Sequence, residues 1–218
     1  MIVNGRSPDS VSGALSSLEA AAAGRVAGLA VDMGSAEAID ALVERFPEVD
    51  VLVNNVGIFE PKPFEEIPDA DWLRIFEVNV LAGVRLARAY LPRMRRRDWG
   101  RIIFVSSESA IQIPAEMIHY GVTKSAQVAV ARGLAEAVAG TGITVNSVLP
   151  GPTRSRSMRE MVESRASAEG KSFREIESEF FEPRVRHRSS SASSSPRRSP
   201  PSSPISRARW PTRSPAPR

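Results

Sequence analysis

The chain has 218 residues, enough for one domain with a real core; it has no cysteine, which excludes disulfides and thiolate metal sites, and only His119 and His187, which argues against a zinc site. Of its 29 Lys+Arg, nine fall between Pro183 and Arg218, where no acidic residue occurs, so 20 stand against all 25 Asp+Glu in residues 1–182. That body is net −5, which argues against a nucleic-acid partner. No run of ~18 apolar residues is present, and MIVNGRSPDS lacks the basic and apolar regions of a signal peptide, so a soluble cytoplasmic protein without a membrane partner is expected.

Ile2–Val3 opens the chain as a short apolar strand, and residues 9–22 follow as a helix. Val26–Val31 predicts a strand ending at Asp32, Ala36–Phe46 a helix, and Val49–Asn55 a buried apolar strand. Asp69, after Pro68, is expected to cap a helix over 69–96 that sets Trp72, Ile75, Phe76, Val80, Val84, Ala87 and Leu91 on one side. Arg101–Val105 reads as a strand, Ile118–Ala139 as a long helix, and Ile143–Leu149 as a last strand stopped by Pro150–Gly151. Strands alternating with long helices predict parallel β-α units with helices on both faces, an α/β class. Residues 155–182 look helical and charged, placed where a substrate lid could sit.

From Pro183 the composition changes. The last 36 residues hold eleven serines, nine arginines and eight prolines. Such a segment buries too little apolar surface to offset its ordering entropy, so 183–218 is expected to be disordered. It reads either as an Arg/Ser segment of the RNA-binding type or as a tail with no folded role.

Ligands of open α/β sheets bind beyond the carboxyl ends of the strands. Here those ends carry Asp32, then Asn54-Asn55-Val56-Gly57, then Ser106-Ser107, then Pro150-Gly151. Tyr120 and Lys124 are four apart, one turn of helix, so they share a face. Alone, that pair fits a solvated helix face. It stands, however, thirteen residues after Ser107, with "VDM" at 31–33, "NNVG" at 54–57, "EVNV" at 77–80, "VSS" at 105–107 and "PGPTRS" at 150–155 in order. Over residues 1–182 the sequence resembles the short-chain dehydrogenase/reductase family, and within it the 3-oxoacyl-carrier-protein-reductase-like members.

The resemblance implies a Rossmann-like doubly wound parallel sheet in three α/β/α layers. It implies an oxidoreductase that interconverts a ketone or 3-oxoacyl group and a secondary alcohol, acting on a small carbonyl or alcohol substrate. Tyr120 would be the general acid, with Lys124 lowering its pKa by proximity of positive charge and holding the nicotinamide ribose. Ser107 would hydrogen-bond the substrate carbonyl, and Asn79 would hold a water that relays protons past Lys124. Asp32 and the backbone of Met33 would meet the adenine, and Asn55 and Gly57 would lie along its ribose. Pro150 and Gly151 would line the nicotinamide end, and Thr153 and Ser155 would contact its carboxamide. Arg6, just after the first strand, suits a ribose 2′-phosphate, so NADP(H) is favoured over NAD(H). His119 is expected at the pocket rim, Ser106 in a structural role and Ser109 on the substrate side. Homodimers or homotetramers through the helices at 69–96 and 118–139 are expected from the family.

Two departures accompany the likeness. The glycine-rich turn TGxxxGxG, whose helix N-terminus binds pyrophosphate, does not occur, and the chain opens at what resembles the family's second strand. The absent strand would be central in the sheet and would leave apolar surface exposed. At the other end, a family-like Glu-Glu-Val-Ala-Pro-Leu-Val-Ala-Tyr-Leu-Ala-Ser-Pro-Leu-Ala-Asn-Ala-Ile-Thr-Gly-Ala-Ala stretch in GC-rich codons, read one base out of frame, gives Arg197–Arg218 as it stands, Trp210 included. A frame-shifted C-terminus is therefore a third reading of the tail, which the nucleotide sequence would test. These departures carry the alternative reading, an inactive fragment or an interaction protein with a basic disordered tail.

Overall fold

Short apolar runs, each followed by a helix with one apolar side, dictate where the chain turns over on itself. The computed structural model describes residues 1–22, 25–153 and 156–181. Strand β1 (Ile2–Gly5) leads through α1 (Pro8–Ala22) to β2 (Ala27–Ala30), and α2 (Ala36–Arg45) leads on to β3 (Val51–Asn54). Helix α3 (Asp69–Phe76), a π-turn (Glu77–Leu81) and α4 (Ala82–Arg97) precede β4 (Gly100–Val105). Helix α5 (Ile118–Ala137) precedes β5 (Ile143–Val148), and α6 (Arg156–Glu169) and α7 (Phe173–Phe181) follow.

All strand pairs are parallel, as the alternating pattern predicts. The strands form two sheets: β1 with β2, and β3-β4-β5 with β4 in the middle. No described strand hydrogen-bonds β1 to β3, so the single doubly wound sheet of the family is here divided. The core lies on one face of the larger sheet. Ile102 and Phe104 of β4 and Ile143 and Val145 of β5 pack against Leu86, Tyr90 and Met94 of α4 and Ala131 of α5. Burying a side chain the size of Phe104 contributes about 2–3 kcal/mol. On the opposite face, Val51 and Val53 of β3 and Val148 of β5 are exposed.

The helix predicted over 69–96 is two helices joined by the π-turn. Asp69 is its first helical residue; the cap position is Pro68, which makes no side-chain cap. A π-turn fits an extra residue into one turn, which breaks the apolar stripe. Ile75, Val80, Ala87 and Leu91 are buried, whereas Phe76 is exposed. The charged segment after β5 is likewise two helices, broken at Gly170 with φ +63°. Val162 and Ala166 of α6 and Ile176 of α7 form a separate small core with Met158 and Phe173. The tail 183–218 lies outside the described residues.

Candidate active site

Asn is a poor choice inside a helix because its amide competes for backbone groups. In the π-turn that tendency is used. Asn79 is 1 % exposed; its Oδ1 accepts from the Ile58 N–H (2.7 Å) and its Nδ2 donates to Ile58 O (2.9 Å). The same Nδ2 donates to Thr123 Oγ1 at 3.0 Å, and Thr123 Oγ1 donates to Tyr120 O at 2.7 Å. Asn79 therefore ties the loop after β3 to the first turns of α5.

Ser106 and Ser107 end β4. Ser106 Oγ donates to Lys124 O at 2.8 Å, a buried contact that fits the structural role expected for it. Ser107 is extended, and its Oγ accepts from the Ser109 N–H at 3.1 Å, capping a one-turn helix at Glu108–Ala110. Ser109 itself is buried. Tyr120 lies edge-on to Phe59, with ring centroids 6.1 Å apart. Burial pushes its phenol above its ordinary value, and the neighbouring Ser107 hydroxyl pulls it partly back. The Lys124 ammonium lies 5.5 Å from the Tyr120 ring centre.

Lys124 is only 4 % exposed. Burial alone pushes its ammonium down to about 8, because a desolvated charge is disfavoured. Its Nζ donates to Val105 O at 3.1 Å and to Gln127 Oε1 at 3.2 Å. Gln127 is a residue that motif reading missed. Its Nε2 donates to Asn79 O at 2.5 Å, so Lys124 Nζ, Gln127 and Asn79 form one chain of polar contacts. The available signal was a glutamine three residues after Lys124, on the helix face that must be buried.

The residues expected around a dinucleotide are distributed along the strand ends. Arg6 is exposed after β1. Asp32 is exposed after β2, its Oδ1 accepting from Gly34 N at 2.9 Å. Met33 places its side chain in the core, which leaves its backbone for a ligand. A Cβ on Gly34 would stand 3.3 Å from Val78 Cγ2, so this turn abuts the π-turn. Asn55 and Gly57 are exposed after β3, and a Cβ on Gly57 would lie 3.5 Å from both Asn79 Oδ1 and Lys124 Nζ. Pro150 O accepts from Glu108 N at 3.0 Å, beside exposed Gly151, and Thr153 Oγ1 donates to Gly151 O at 3.1 Å. Ser155 lies outside the described residues.

Asn54 has a buried amide whose oxygen and nitrogen both have no hydrogen-bond partner among the described residues. His119, expected at the pocket rim, is instead 1 % exposed and edge-on to Trp72, centroids 5.9 Å apart. Its burial follows from its place one turn before Thr123, on the inward side of α5; desolvation holds its imidazole below the ordinary value, with Asp71 opposing. Among the described residues no cluster of His, Asp and Glu could hold a metal. None of the described helices is long and apolar enough to cross a membrane.

The structure thus brings Asn79, Ser107, Tyr120, Lys124 and Gly57 together beyond β3 and β4. A nicotinamide ribose fits this end. The buried Lys124 ammonium has three N–H groups and two protein acceptors, and bare Gly57 lies beside it. No glycine-rich motif matches the pyrophosphate end.

Comparison with known proteins shows the family. The family model described as short chain dehydrogenase matches residues 1–166. The uncharacterized oxidoreductase YvaG of Bacillus subtilis (strain 168) is 42 % identical over 182 residues, 83 % of this chain and 69 % of that protein. The 3-oxoacyl-[acyl-carrier-protein] reductase FabG of Vibrio cholerae is 33 % identical over 128 residues, 57 % of this chain and 52 % of that one. L-sorbose reductase from Gluconobacter frateurii, solved with NADPH and L-sorbose, superposes with a TM-score of 0.74 at 32 % identity, covering 80 % of this chain and 68 % of that chain. The chain thus spans 69 % or less of the length of each of these relatives. Its matched residues, its parallel α/β fold and the grouping of Ser107, Tyr120 and Lys124 all lead to one assignment: the chain belongs to the short-chain dehydrogenase/reductase family of oxidoreductases.

Proposed function

We propose that this chain interconverts a ketone or 3-oxoacyl group and a secondary alcohol, with NADP(H) favoured over NAD(H). The observation that carries the reading is the buried Lys124 ammonium one helical turn from Tyr120, with Ser107 at the adjoining strand end. The bound nicotinamide would supply or accept the hydride. Tyr120 would give its phenolic proton to the carbonyl oxygen of the substrate, and Ser107 would hydrogen-bond that oxygen. Lys124 would hold the ribose with the N–H left free by Val105 and Gln127. Arg6 and Asp32 would stand at the adenine end, and Pro150, Gly151, Thr153 and Ser155 at the carboxamide. Sorbose reductase and the 3-oxoacyl reductase support a carbonyl substrate class. Titrating NADPH fluorescence with the purified chain tests the reading: binding that weakens in Lys124→Ala is expected, and no binding at millimolar cofactor would sink it. Tyr120→Phe is expected to keep cofactor binding and to lose about 10²–10⁴-fold in carbonyl reduction.

A second reading, a non-catalytic chain acting through its basic tail, rests on the nine arginines and no acidic residue of 183–218. RNA binding that vanishes on deleting 183–218, with no NADPH binding, would select it. Assembly into homodimers or homotetramers through the helices within 69–96 and 118–139 belongs to the first reading. Light scattering checks it, and a monomer at micromolar concentration would remove that part of the proposal.

A further inference from the structure

We propose that Gln127 is a positioning residue for Lys124, its side-chain amide bridging the lysine ammonium to the Asn79 carbonyl and setting both the direction and the charge of that ammonium. The proposal rests on Lys124 being the active-site lysine, but its test needs neither cofactor nor turnover.

A primary amide at 2 % exposure is costly unless both its ends are bonded. Gln127 meets that condition in one orientation only. Its oxygen accepts from Lys124 Nζ (3.2 Å) and its nitrogen donates to Asn79 O (2.5 Å). Turned over, it would aim N–H groups at an ammonium and an oxygen at a carbonyl oxygen. Among the described residues no carboxylate pairs with this ammonium. From α5 the titratable group beside it is the Tyr120 phenol; from β4 it meets the Val105 carbonyl; bare Gly57 and the neutral Asn79 amide stand on the remaining side. Burial is the cause of its altered titration, with no charged neighbour contributing. Two neutral oxygens, on Val105 and Gln127, are therefore what favours the charged form.

The bridge also completes a circuit. Gln127 bonds Asn79, Asn79 bonds Thr123, Thr123 bonds the Tyr120 carbonyl, and Tyr120 and Lys124 lie on the same helix face. Both members of the dyad are thus referenced to one π-turn. A leucine or alanine at this position would leave Lys124 held by the helix and Val105 alone.

The chain has only three lysines, Lys62, Lys124 and Lys171. Lys62 and Lys171 sit in ion pairs that raise their titration. NMR of lysine labelled with ¹³C at Cε, followed against pH on the full chain, therefore separates Lys124 as the lowest midpoint. Gln127→Met keeps length and volume but removes the amide, and it is expected to lower the Lys124 midpoint by about one pH unit. Gln127→Glu is expected to raise it by about as much. Unmoved Lys62 and Lys171 signals report that the fold is kept. A Lys124 midpoint unchanged in a folded methionine variant overturns the proposal; should that variant not fold, an unchanged midpoint in Gln127→Glu does so. NADPH titration decides the functional reading separately, because the lysine titration runs without cofactor.

Discussion

Burying the Lys124 ammonium has a thermodynamic signature that can be read without a substrate. With a midpoint near 8 when folded against 10.5 when free, the folded chain releases this proton first. Between those values the unfolded chain binds more protons, so stability rises with pH. Below pH 8 the ammonium is charged in both states and its burial costs about 3 kcal/mol. Tyr90 and Tyr120, both raised above 10.0 by burial, act the other way: their contribution holds below that value and is lost above it. The gain from Lys124 is therefore read between pH 8 and 10, where urea unfolding should show stability rising at up to about 1.4 kcal/mol per pH unit. Lys124→Met should lack that rise; equal slopes in the two proteins would show that the lysine is solvated. That Tyr120 and Lys124 share a helix face near Ser107 was legible in the sequence, because their spacing and the strand end fix it. Gln127 was not, because a glutamine announces itself only when its burial and both bonding partners are known. His119 was misread for the same reason, since a polar residue next to Tyr120 is inward or rim according to a rotation of one helical position.

At the scale of elements, the π-turn is where sequence and structure differ most usefully. A stripe of apolar residues from Trp72 to Leu91 reads as one helix, and nothing in the pattern marks an extra residue in a turn. The physical reason lies off the helix. The loop after β3 has backbone groups at Ile58 that need partners, and Asn79 supplies both from a widened turn. Asn79→Ala removes the donor and acceptor together and also strips the bond to Thr123. It is expected to destabilise the chain by about 3 kcal/mol. Hydrogen exchange at the Ile58 amide gives a local readout and should accelerate in the variant. A loss below ~1 kcal/mol with a still-protected Ile58 amide would mean that another group takes over the loop. The break between α6 and α7 was similarly hidden in a charged segment, because a single glycine inside a helical run reads equally as a tolerated interior residue.

At the scale of the molecule, the parallel pairing of the strands was legible, since strands alternating with long helices indicate parallel β-α units, but the division into two sheets was not. Exposure of this face was not legible: composition does not say that Val51 and Val53 lack a covering layer. The structure gives it physical content. Residues of β3 alternate strictly, with Leu52 and Asn54 inward and Val51 and Val53 outward at 49 % and 53 % exposure. The edge of β3 away from β4 pairs with no described strand. An apolar face beside an open edge binds hydrophobic dyes and favours association. Replacing both valines by threonine keeps β-branched shape and strand propensity while removing apolar surface. Val51→Thr combined with Val53→Thr should therefore lower the fluorescence of bound anilinonaphthalene sulfonate and shift unfolding stability by no more than about 0.5 kcal/mol for each replacement, as for other exposed positions. If the dye signal is unchanged while the fold is kept, the face is covered in solution. The open-sheet description would then give way to one in which another element packs on Val51 and Val53.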